Sequence, residues 1–357
     1  MKILFICSGF GRTYRGVETW VAELSEQFAK MGHEVTIFAG YKSNVKLKGI
    51  NVEKFKIIYR DSFGTIPKRK YFELLCYWAE NLSLTAASFC ALKRGNFDLI
   101  FISSWADGFS TLFLKKLGFI KSKTIYTFHG GTANKWLLPL IFPVKFADAV
   151  VGVSYFVTKN ASKLLKRNFE TIYNGVNTHY FKPRNLNRKF DLLYVGALLK
   201  KKGIYTLIEA VSPLRYKLGV IGDGPEKKNL LKITKGNRNI KMLGAKKHSE
   251  LPTFYNESEV VIVPSEYPEA QTIVPVEAMA CEVPVIAADI GGLGESVKKF
   301  KGGLTYQPGN VKELRKLIEF LMKNPNKRKE LGKKGRAFVE KNLDWKIIAK
   351  KYLILVK

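Results

Sequence analysis

The sequence predicts an α/β protein made of two doubly wound parallel sheets around a common cleft. Short apolar runs alternate with helical patterns from the first residue, beginning with KILFIC, VETWVAELSEQFAKMG and HEVTIFAG. This alternation is typical of parallel sheets covered by helices. The charged, proline-containing stretch FKPRNLNRKF interrupts it, and the same alternation then starts again. Because open sheets of this kind bind ligands at the carboxyl ends of their strands, we expect the site there.

Each predicted element rests on a short stretch of sequence. The strands of the first half are KILFIC, HEVTIFAG, FDLIFISS, KTIYTFHG, ADAVVGVS and ETIYNGV, and those of the second half are DLLYVGAL, YKLGVIGDG, NIKMLGA, VVIVPSE and VPVIAAD. Besides the first helix, we expect one from about Tyr205 to Val211 and a terminal one in DWKIIAKKYLILVK. The predicted domains are 1–170 and 171–340, followed by a terminal helix, 341–357, that packs back on the first domain.

Composition narrows the class of protein. A chain of 357 residues with 46% hydrophobic residues is long enough for two buried cores. The apolar run WLLPLIFPV ends before Lys145, short of the roughly 18 to 20 residues that a spanning helix needs. The first apolar run ends at Ser8, which is too short for a signal peptide, so we expect a cytoplasmic protein.

The four cysteines argue against a zinc site and against a disulfide framework. They are far apart and form no C-x-x-C pair, so we expect buried thiols. Their positions are Cys7, Cys76, Cys90 and Cys281.

The charge of +30 is compatible with nucleic acid, an anionic membrane surface or an acidic substrate as partner. Residues 42–70 hold nine lysines and arginines against two acidic residues, a local excess of +7. No zinc-finger, RRM or KH pattern occurs, so we expect no nucleic acid. A peripheral contact of residues 42–70 with an anionic membrane is the more specific prediction, and a solvated basic surface is the alternative.

Several classes of ligand-binding site are excluded because their sequence motifs are absent. The first strand–helix turn, CSGFGRTYRGVET, has Tyr14 where a dinucleotide fingerprint has its third glycine, and the second strand ends without an acidic residue. No G-x-x-x-x-G-K-[ST] occurs, so a P-loop enzyme is excluded as well. No D-x-D occurs either, so nothing implies a metal-chelated diphosphate. The glycine turn still leads into a helix amino end, which favours an anion.

The segment VVIVPSEYPEAQTIVPVEAMACEVPVIAADIGG carries the strongest site pattern. A buried strand ends at Pro264, and a helix is expected to begin near Thr272, whose side chain can cap it. Pro275 falls in the first turn, where its missing N–H costs little. The backbone N–H groups of Ile273 and Val274 then point toward a phosphate.

Two carboxylates flank this helix start. Glu269 lies in the loop and Glu277, eight positions later, lies on the helix. The pair can bracket one ligand, with Glu269 near its far end and Glu277 where hydroxyls need a bidentate acceptor.

Together these segments resemble one enzyme family. The E-x7-E pair followed by AMACEVPVIAADIGGLGE looks like the donor-site signature of family 4 of the retaining glycosyltransferases, which have the GT-B fold. RGVETWVAELSEQFAKMGHEVTIF, TFHGG, TIYNGVNTHYFKP, YVGALLKKKGIYTLIEAV, VIGDGPEKKNL and MLGAKKHSELPTFY resemble the corresponding family segments in order. The resemblance covers nearly the whole chain and implies two Rossmann-like domains, the first on the acceptor side and the second binding the nucleotide sugar.

The resemblance also implies residue roles. In such enzymes the first glutamate, here Glu269, lies beside the transferred sugar, and the second, Glu277, accepts hydrogen bonds from the ribose. Lys202 of the KKG segment binds the diphosphate, Gly16 lets backbone approach it, and His129 contacts the sugar. The predicted catalytic residues are Glu269, Lys202 and His129, and the predicted donor-binding residues are Gly16, Gly196, Lys202, Thr272, Ile273, Val274 and Glu277. No metal-binding residue is predicted.

The chain departs from the family pattern at three places. Ala197 follows Gly196 where the family usually has an arginine, so one diphosphate cation is missing unless Lys200 or Lys201 replaces it. Arg15 stands at the first glycine of G-G-x-E, so that Arg15 or Arg12 is another candidate for the phosphates. Thr272 replaces a frequent glycine beside the phosphates.

The resemblance implies a retaining, metal-independent enzyme that moves a hexose from a nucleoside diphosphate sugar to a hydroxyl of a glycolipid, polysaccharide or small molecule. The leaving phosphate itself helps to take the acceptor proton in the path proposed for the family. We expect no cofactor, and a UDP-sugar in preference to a GDP-sugar as donor. The alternatives are a noncatalytic sugar-nucleotide-binding or nucleic-acid-binding protein, and a GT-B epimerase that hydrolyses its donor.

Overall fold

The computed structural model describes residues 1–10, 16–40, 45, 47–58, 79, 83, 86–103, 105–130 and 142–356. The chain divides into two compact units. The first unit contains Met1–Tyr173 and Ile348–Lys357, and the second contains Asn174–Ile347.

The first unit is built on a parallel seven-stranded sheet. Its strands are β1 (Lys2–Ile6), β2 (Glu34–Gly40), β3 (Asn51–Phe55), β4 (Leu99–Ile102), β5 (Lys123–Phe128), β6 (Ala149–Gly152) and β7 (Glu170–Thr171). Their order in the sheet is β3-β2-β1-β4-β5-β6-β7, with every pair parallel. Helices α1 (Gly16–Lys30), α2 (Trp105–Lys116) and α3 (Tyr155–Leu165) belong to it, with helical residues 86–95 and a 3-10 turn at Phe142–Phe146.

An aromatic cluster fills the centre of this unit. The rings of Phe5 and Phe101 stack with centroids 4.7 Å apart, and Trp20 meets Phe5 edge to face at 5.8 Å. Tyr352, from the last helix of the chain, lies 5.6 Å from Phe101. Tyr352 and Trp20 are both fully buried, so the terminal segment contributes to this core.

The second unit is built on a parallel six-stranded sheet. Its strands are β8 (Phe190–Val195), β9 (Leu218–Ile221), β10 (Ile240–Gly244), β11 (Ser258–Val263), β12 (Val285–Ala288) and β13 (Gly303–Tyr306), in the order β10-β9-β8-β11-β12-β13. The helices, in chain order, are α4 (Ile204–Val211), α5 (Lys227–Ile233), α6 (Leu251–Asn256), α7 (Ile273–Ala280), α8 (Gly291–Phe300), α9 (Val311–Lys323) and α10 (Pro325–Asn342). Helix α11 (Trp345–Ile354) begins in this unit and ends in the first. Short 3-10 turns lie at Lys200–Lys202 and His248–Glu250.

The predicted fold class is confirmed, since both sheets are parallel and doubly wound. In both, the strand order reverses beside the first strand, between β1 and β4 and between β8 and β11. Ligands of such sheets bind outside the carboxyl ends of the strands at this reversal. The loops that follow β8 and β11 are therefore where a ligand of the second unit is expected.

Two edge strands were absent from the sequence prediction. β3 (NVEKF) carries two adjacent charged residues, Glu53 and Lys54, and is at most partly buried, so it shows no apolar run. β13 (GLTY) is short, and three of its four residues are only partly buried. Edge strands need less apolar sequence than central ones, which explains both omissions.

The cysteine prediction is partly wrong. Cys7 and Cys281 are buried thiols, but Cys90 is exposed, because it lies on the solvent face of helical residues 86–95. Cys76 lies outside the described residues. None of the helices in the described part of the chain combines the length and the apolar content that crossing a bilayer requires.

Candidate active site

Two loops of the second unit are locked together at the strand reversal. The glycine of the KKG turn, Gly203, has a left-handed φ of +68°, and a Cβ there would lie 1.8 Å from the carbonyl oxygen of Pro264 at the end of β11. The backbone N–H of Glu266 donates to the carbonyl oxygen of Lys201 at 3.0 Å. Only glycine fits this close approach, so it fixes the KKG turn against the loop that carries the first glutamate.

Glu269 lies where the loops after β8, β11 and β12 meet. Its Oε2 is 2.6 Å from Nζ of Lys202, and its Oε1 accepts a hydrogen bond from the hydroxyl of Ser265. Its carbonyl oxygen accepts the N–H of Gly292 at 2.7 Å, and a Cβ on Gly291 would lie 2.8 Å from that oxygen. The side chains of Lys202 and Glu269 are 29% and 14% exposed, so this ion pair is largely shielded from water.

The start of α7 differs from its prediction in one respect. Thr272 occupies the N-cap position with extended backbone, but its side chain makes no capping hydrogen bond. A capping oxygen accepts from the second or third helical N–H, and the third helical residue is Pro275, which has none. Among the described residues, Oγ1 of Thr272 is buried without a hydrogen-bond partner. The helix start therefore offers a hydroxyl and the amides of Ile273 and Val274 to a ligand.

The loop before α7 is anchored on its other side as well. Oε1 of Gln271 accepts the backbone N–H of Asn174 at 2.6 Å. This bond ties the loop to the TIYNGV segment, far away in the sequence, so the loop is held at both ends before any ligand binds.

Glu277 is buried in α7, with 2% of its surface exposed. Its Oε2 accepts the hydroxyl of Tyr255 at 2.7 Å, and its Oε1 lies 2.6 Å from Nε2 of His248. Burial, together with the adjacent carboxylate, raises the pKa of Tyr255 well above its usual value. The same two causes raise the pKa of the Cys281 thiol to about 12. Both groups are therefore neutral beside the carboxylate.

The other residues of the KKG region are distributed around this centre. Gly196 ends β8, and a Cβ there would lie 2.9 Å from the hydroxyl of Tyr194. The exposed Ala197 contributes only its carbonyl oxygen, which accepts that hydroxyl at 2.9 Å. Nζ of Lys201 lies 4.9 Å from the ring centroid of Tyr267. Lys202 is thus the lysine of this segment that pairs with the first glutamate.

The remaining predicted site residues belong to the first unit. Gly16 begins α1, and a Cβ on it would meet no atom of the described residues within 4 Å. His129 follows β5, and its ring lies 4.8 Å from that of Trp20, which is one turn after Gly16 in α1. Burial lowers the pKa of His129 to about 3, so the imidazole is neutral at physiological pH. Its Nε2 is buried without a hydrogen-bond partner among the described residues.

The second unit thus brings Lys202, Glu269, Thr272 and Glu277 to one edge of one sheet, whereas Gly16 and His129 lie in the first unit. Arg12 and Arg15 lie outside the described residues. Within the described part of the chain, no three His, Cys, Asp or Glu side chains form a group that could hold a metal ion.

Three side chains of this site were not singled out from the sequence. Ser265, Tyr255 and His248 all contact one of the two glutamates. His248 lies in the turn after β10, at the same sheet edge as the other loops. The sequence did offer one indication of its role: His248 follows a predicted strand, and the loops at the carboxyl ends of parallel strands carry the ligand site.

The curated relatives that match first cover about half of the chain. An uncharacterised glycosyltransferase of Methanocaldococcus jannaschii is 34% identical over 197 residues, which cover 55% of this chain and 55% of that protein. The chain spans about half the length of the curated relatives that it matches first.

Two solved structures share the fold. The sucrose-phosphate synthase of Thermosynechococcus elongatus has a TM-score of 0.83 at 23% identity, over 99% of this chain and 98% of that one. HepE of Anabaena, solved in complex with UDP, has a TM-score of 0.81 at 19% identity, over 99% of each chain.

Two family models divide the chain between them. The model for Glycosyltransferase Family 4 matches residues 14–180, and the model for Glycosyl transferases group 1 matches residues 177–338. Since the two matches join without a gap and the fold agrees, the chain belongs to the GT-B glycosyltransferases that these models describe.

Proposed function

We propose that this protein is a retaining glycosyltransferase that moves a hexose from a nucleoside diphosphate sugar to a hydroxyl of a glycolipid, polysaccharide or small molecule. The observation that carries the proposal is the 2.6 Å pair of Lys202 and Glu269 beside the amino end of α7. A cation, a helix amino end and two carboxylates in one place match the alternating charge and hydroxyl groups of such a donor.

The donor would lie along this edge of the second sheet, with its ribose at one end of the site and its transferred sugar at the other. The diphosphate would accept hydrogen bonds from the first-turn amides of α7, from Oγ1 of Thr272 and from Lys202. The ribose hydroxyls would donate to Glu277. Support comes from the hydroxyl of Thr272, which has no hydrogen-bond partner among the described residues, and from the buried position of Glu277.

Transfer would begin with an exchange of partners at Lys202. When a diphosphate takes the ammonium group, Glu269 is released to accept hydrogen bonds from the sugar. Lys202 would then stabilise the negative charge that develops as the bond between sugar and phosphate breaks. The leaving phosphate would take the acceptor proton on the same face, so the anomeric configuration is retained without a protein nucleophile.

His129 would hold the sugar as a neutral hydrogen-bonding group. Its pKa of about 3 rules out an imidazolium acid at neutral pH, but leaves a donor or an acceptor on each ring nitrogen. In this division of roles, residues 1–170 serve the acceptor, residues 171–340 hold the donor, and Gly16 gives backbone access to the diphosphate.

The proposed donor is a UDP-sugar in preference to a GDP-sugar, and no metal is required. The structural similarity to a protein solved with UDP supports the first point. Lys202 and the amino end of α7, which already supply positive charge, support the second.

Screening nucleotide sugars tests the reaction. The protein is incubated with UDP-, GDP-, ADP- and dTDP-sugars, and release of the free nucleoside diphosphate is followed with and without candidate acceptors. Acceptor-dependent release from one donor is expected, with the α-configuration of the donor kept in the product by proton NMR. Release of a free epimerised sugar would instead indicate an epimerase, and no release from any donor would contradict the proposal.

A second part of the proposal is that residues 42–70 bring the enzyme to an anionic membrane. Each basic residue near such a surface contributes about 1 kcal/mol, so half of the local excess would suffice for reversible attachment. Most of these residues lie outside the described structure.

Vesicle sedimentation tests the membrane contact. Binding should rise with anionic lipid and fall with salt. The variant replaces Lys46, Lys48, Lys54 and Lys56 by Gln. The control replaces four exposed lysines of α9 and α10, Lys323, Lys329, Lys333 and Lys341. If both variants lose the same amount of bound protein, binding depends on the overall positive charge, and the specific role of residues 42–70 is wrong.

A further inference from the structure

The two oxygens of Glu277 are held by very different side chains. Tyr255, on Oε2, is fully buried in α6. His248, on Oε1, is 49% exposed, whereas the carboxylate beneath it is 3% exposed. The imidazole therefore covers the solvent-facing side of this carboxylate.

A ribose that reaches Glu277 has to come from the side of the solvent. Tyr255 is held in place, because it is fully buried and an unpaired buried hydroxyl is costly. His248 can leave, because half of its side chain is already in water. Oε1 is thus the oxygen that a ligand can take, and His248 is the group that it must displace.

The surroundings of His248 favour such a movement. The residue lies in the short 3-10 turn His248–Glu250, which the N–H of Lys247 closes by donating to Glu250 at 2.8 Å. Its ring packs on Phe181 with centroids 5.1 Å apart. A rotation about the side-chain bonds would break the contact with Glu277 and leave the backbone hydrogen bond of the turn in place.

We propose that His248 is a positioning residue that occupies the ribose-binding oxygen of Glu277 in the donor-free protein and yields it when a nucleotide sugar binds. The inference rests on the proposed function, since it takes Glu277 as the ribose acceptor. It adds that the contact stabilises the buried carboxylate until the donor arrives. Nucleotide binding is then a competition between ribose hydroxyls and an imidazole.

This competition depends on pH. A charged imidazolium attracts a carboxylate more strongly than a neutral imidazole does, because the attraction of opposite charges adds to the hydrogen bond, and imidazoles ordinarily titrate near pH 6.5. Acidification should therefore strengthen the contact between His248 and Glu277 and weaken nucleotide binding.

Several other charged or titratable groups lie near the pair. The charged or titratable side chains on the segments that carry or contact the pair are His179, Tyr180, Lys182, Arg184, Lys246, Lys247, Glu250, Tyr255, Cys281 and Arg336. Carboxyl groups ordinarily titrate near pH 4, and lysine, arginine and tyrosine near pH 10 or above. The raised pKa values of Tyr255 and Cys281 place both outside the range. The exposed imidazole of His179 provides the matched control.

The experiment is a calorimetric titration with UDP, and with GDP in parallel, at pH 8.0 and pH 5.5. Wild type, His248→Ala, His248→Gln and the control His179→Ala are compared at each pH, so that ionisation of the nucleotide cancels. His248→Ala should bind about fivefold more tightly than wild type at pH 5.5 and about twofold more tightly at pH 8.0. His248→Gln should show a ratio to wild type that also grows on acidification, and His179→Ala should follow wild type.

Two results would overturn this inference about His248 and leave the proposed function standing. One is weaker nucleotide binding by His248→Ala at both pH values, which would make the imidazole a direct ligand of the donor. The other is a ratio to wild type that does not change with pH. Glu277→Ala is titrated beside them. If it binds as wild type does, or if wild type binds neither nucleotide, the proposed donor site fails and the inference with it.

Discussion

The two ends of the candidate donor site are built on opposite principles. At one end, Glu269 pairs with the long side chain of Lys202, and the two side chains keep 14% and 29% exposure. At the other end, Glu277 is almost completely buried; the buried hydroxyl of Tyr255 holds one of its oxygens, and only the half-exposed His248 covers the other. A contact that must reorganise during a reaction needs access and a flexible partner, whereas one that only holds a ligand benefits from rigidity. We therefore expect the end with Glu269 to take part in the reaction and the end with Glu277 to recognise the nucleotide.

The largest effect should come from Lys202→Met. If Lys202 stabilises the leaving diphosphate, its loss should reduce kcat about 100- to 1,000-fold, as for other groups that act on developing charge. Steady-state kinetics with the donor found in the screen measures it. The neighbouring exposed residues supply the controls Lys200→Met and Lys201→Met. A comparable loss in either control would move the role of the leaving-group cation to that lysine.

Glu277→Ala should act on affinity. If Glu277 accepts from the ribose as proposed, the substitution removes a charge-assisted hydrogen bond, so the nucleoside diphosphate should bind about 10- to 100-fold more weakly. Isothermal titration measures this change. Glu269→Ala is the matched comparison, and it should lower turnover while leaving affinity for the free nucleotide as it was. If both variants lost affinity equally, the proposed distinction between the two ends would disappear.

Thr272→Val should have a smaller effect that separates stability from binding. The hydroxyl has no partner among the described residues, so its removal should leave the free energy of unfolding unchanged or slightly higher. A hydrogen bond from the hydroxyl to a charged phosphate would be lost, which weakens nucleotide binding about tenfold. Thermal denaturation and titration of the same preparation test both parts. Wild-type affinity in this variant would show that the phosphates do not reach the helix start.

The smallest expected effect is that of chelators. Because Lys202 and the amino end of α7 supply the positive charge, EDTA should change the initial rate by less than about twofold. The assay is repeated after dialysis against EDTA and after adding Mg²⁺ or Mn²⁺. Loss of turnover that a divalent ion restores would assign part of the charge at the diphosphate to a metal.

The central strands could be predicted from the sequence because each is a continuous apolar run that ends in small or polar residues. LLYV, VVIV and VIAA are buried on both faces, as the pattern requires. The edge strands β3 and β13 could not, since half-exposed strands have no such run. The contact of Lys202 with Glu269 follows from the close fit of Gly203 against Pro264, which spacing in the sequence does not reveal.

Site details that depend on tertiary contacts were beyond sequence reasoning. Thr272 has the residue type of a helix cap, but the proline three positions later removes a donor that the cap would use. His248 lies 29 positions from Glu277, and no periodicity connects them. Such contacts arise from how loops of neighbouring strands meet, whereas the E-x7-E spacing lies within a single loop and helix.

The backbone bonds between the three loops have a consequence for how the site opens. The amide of Glu266 belongs to one loop and donates to another, and the amide of Gly292 donates to the loop of Glu269. None of the three loops can detach without breaking at least one of these two hydrogen bonds. In native-state hydrogen exchange, these amides should therefore exchange with one common opening free energy, as a single foldon. A donor would then meet a pocket that is either assembled or open as a whole.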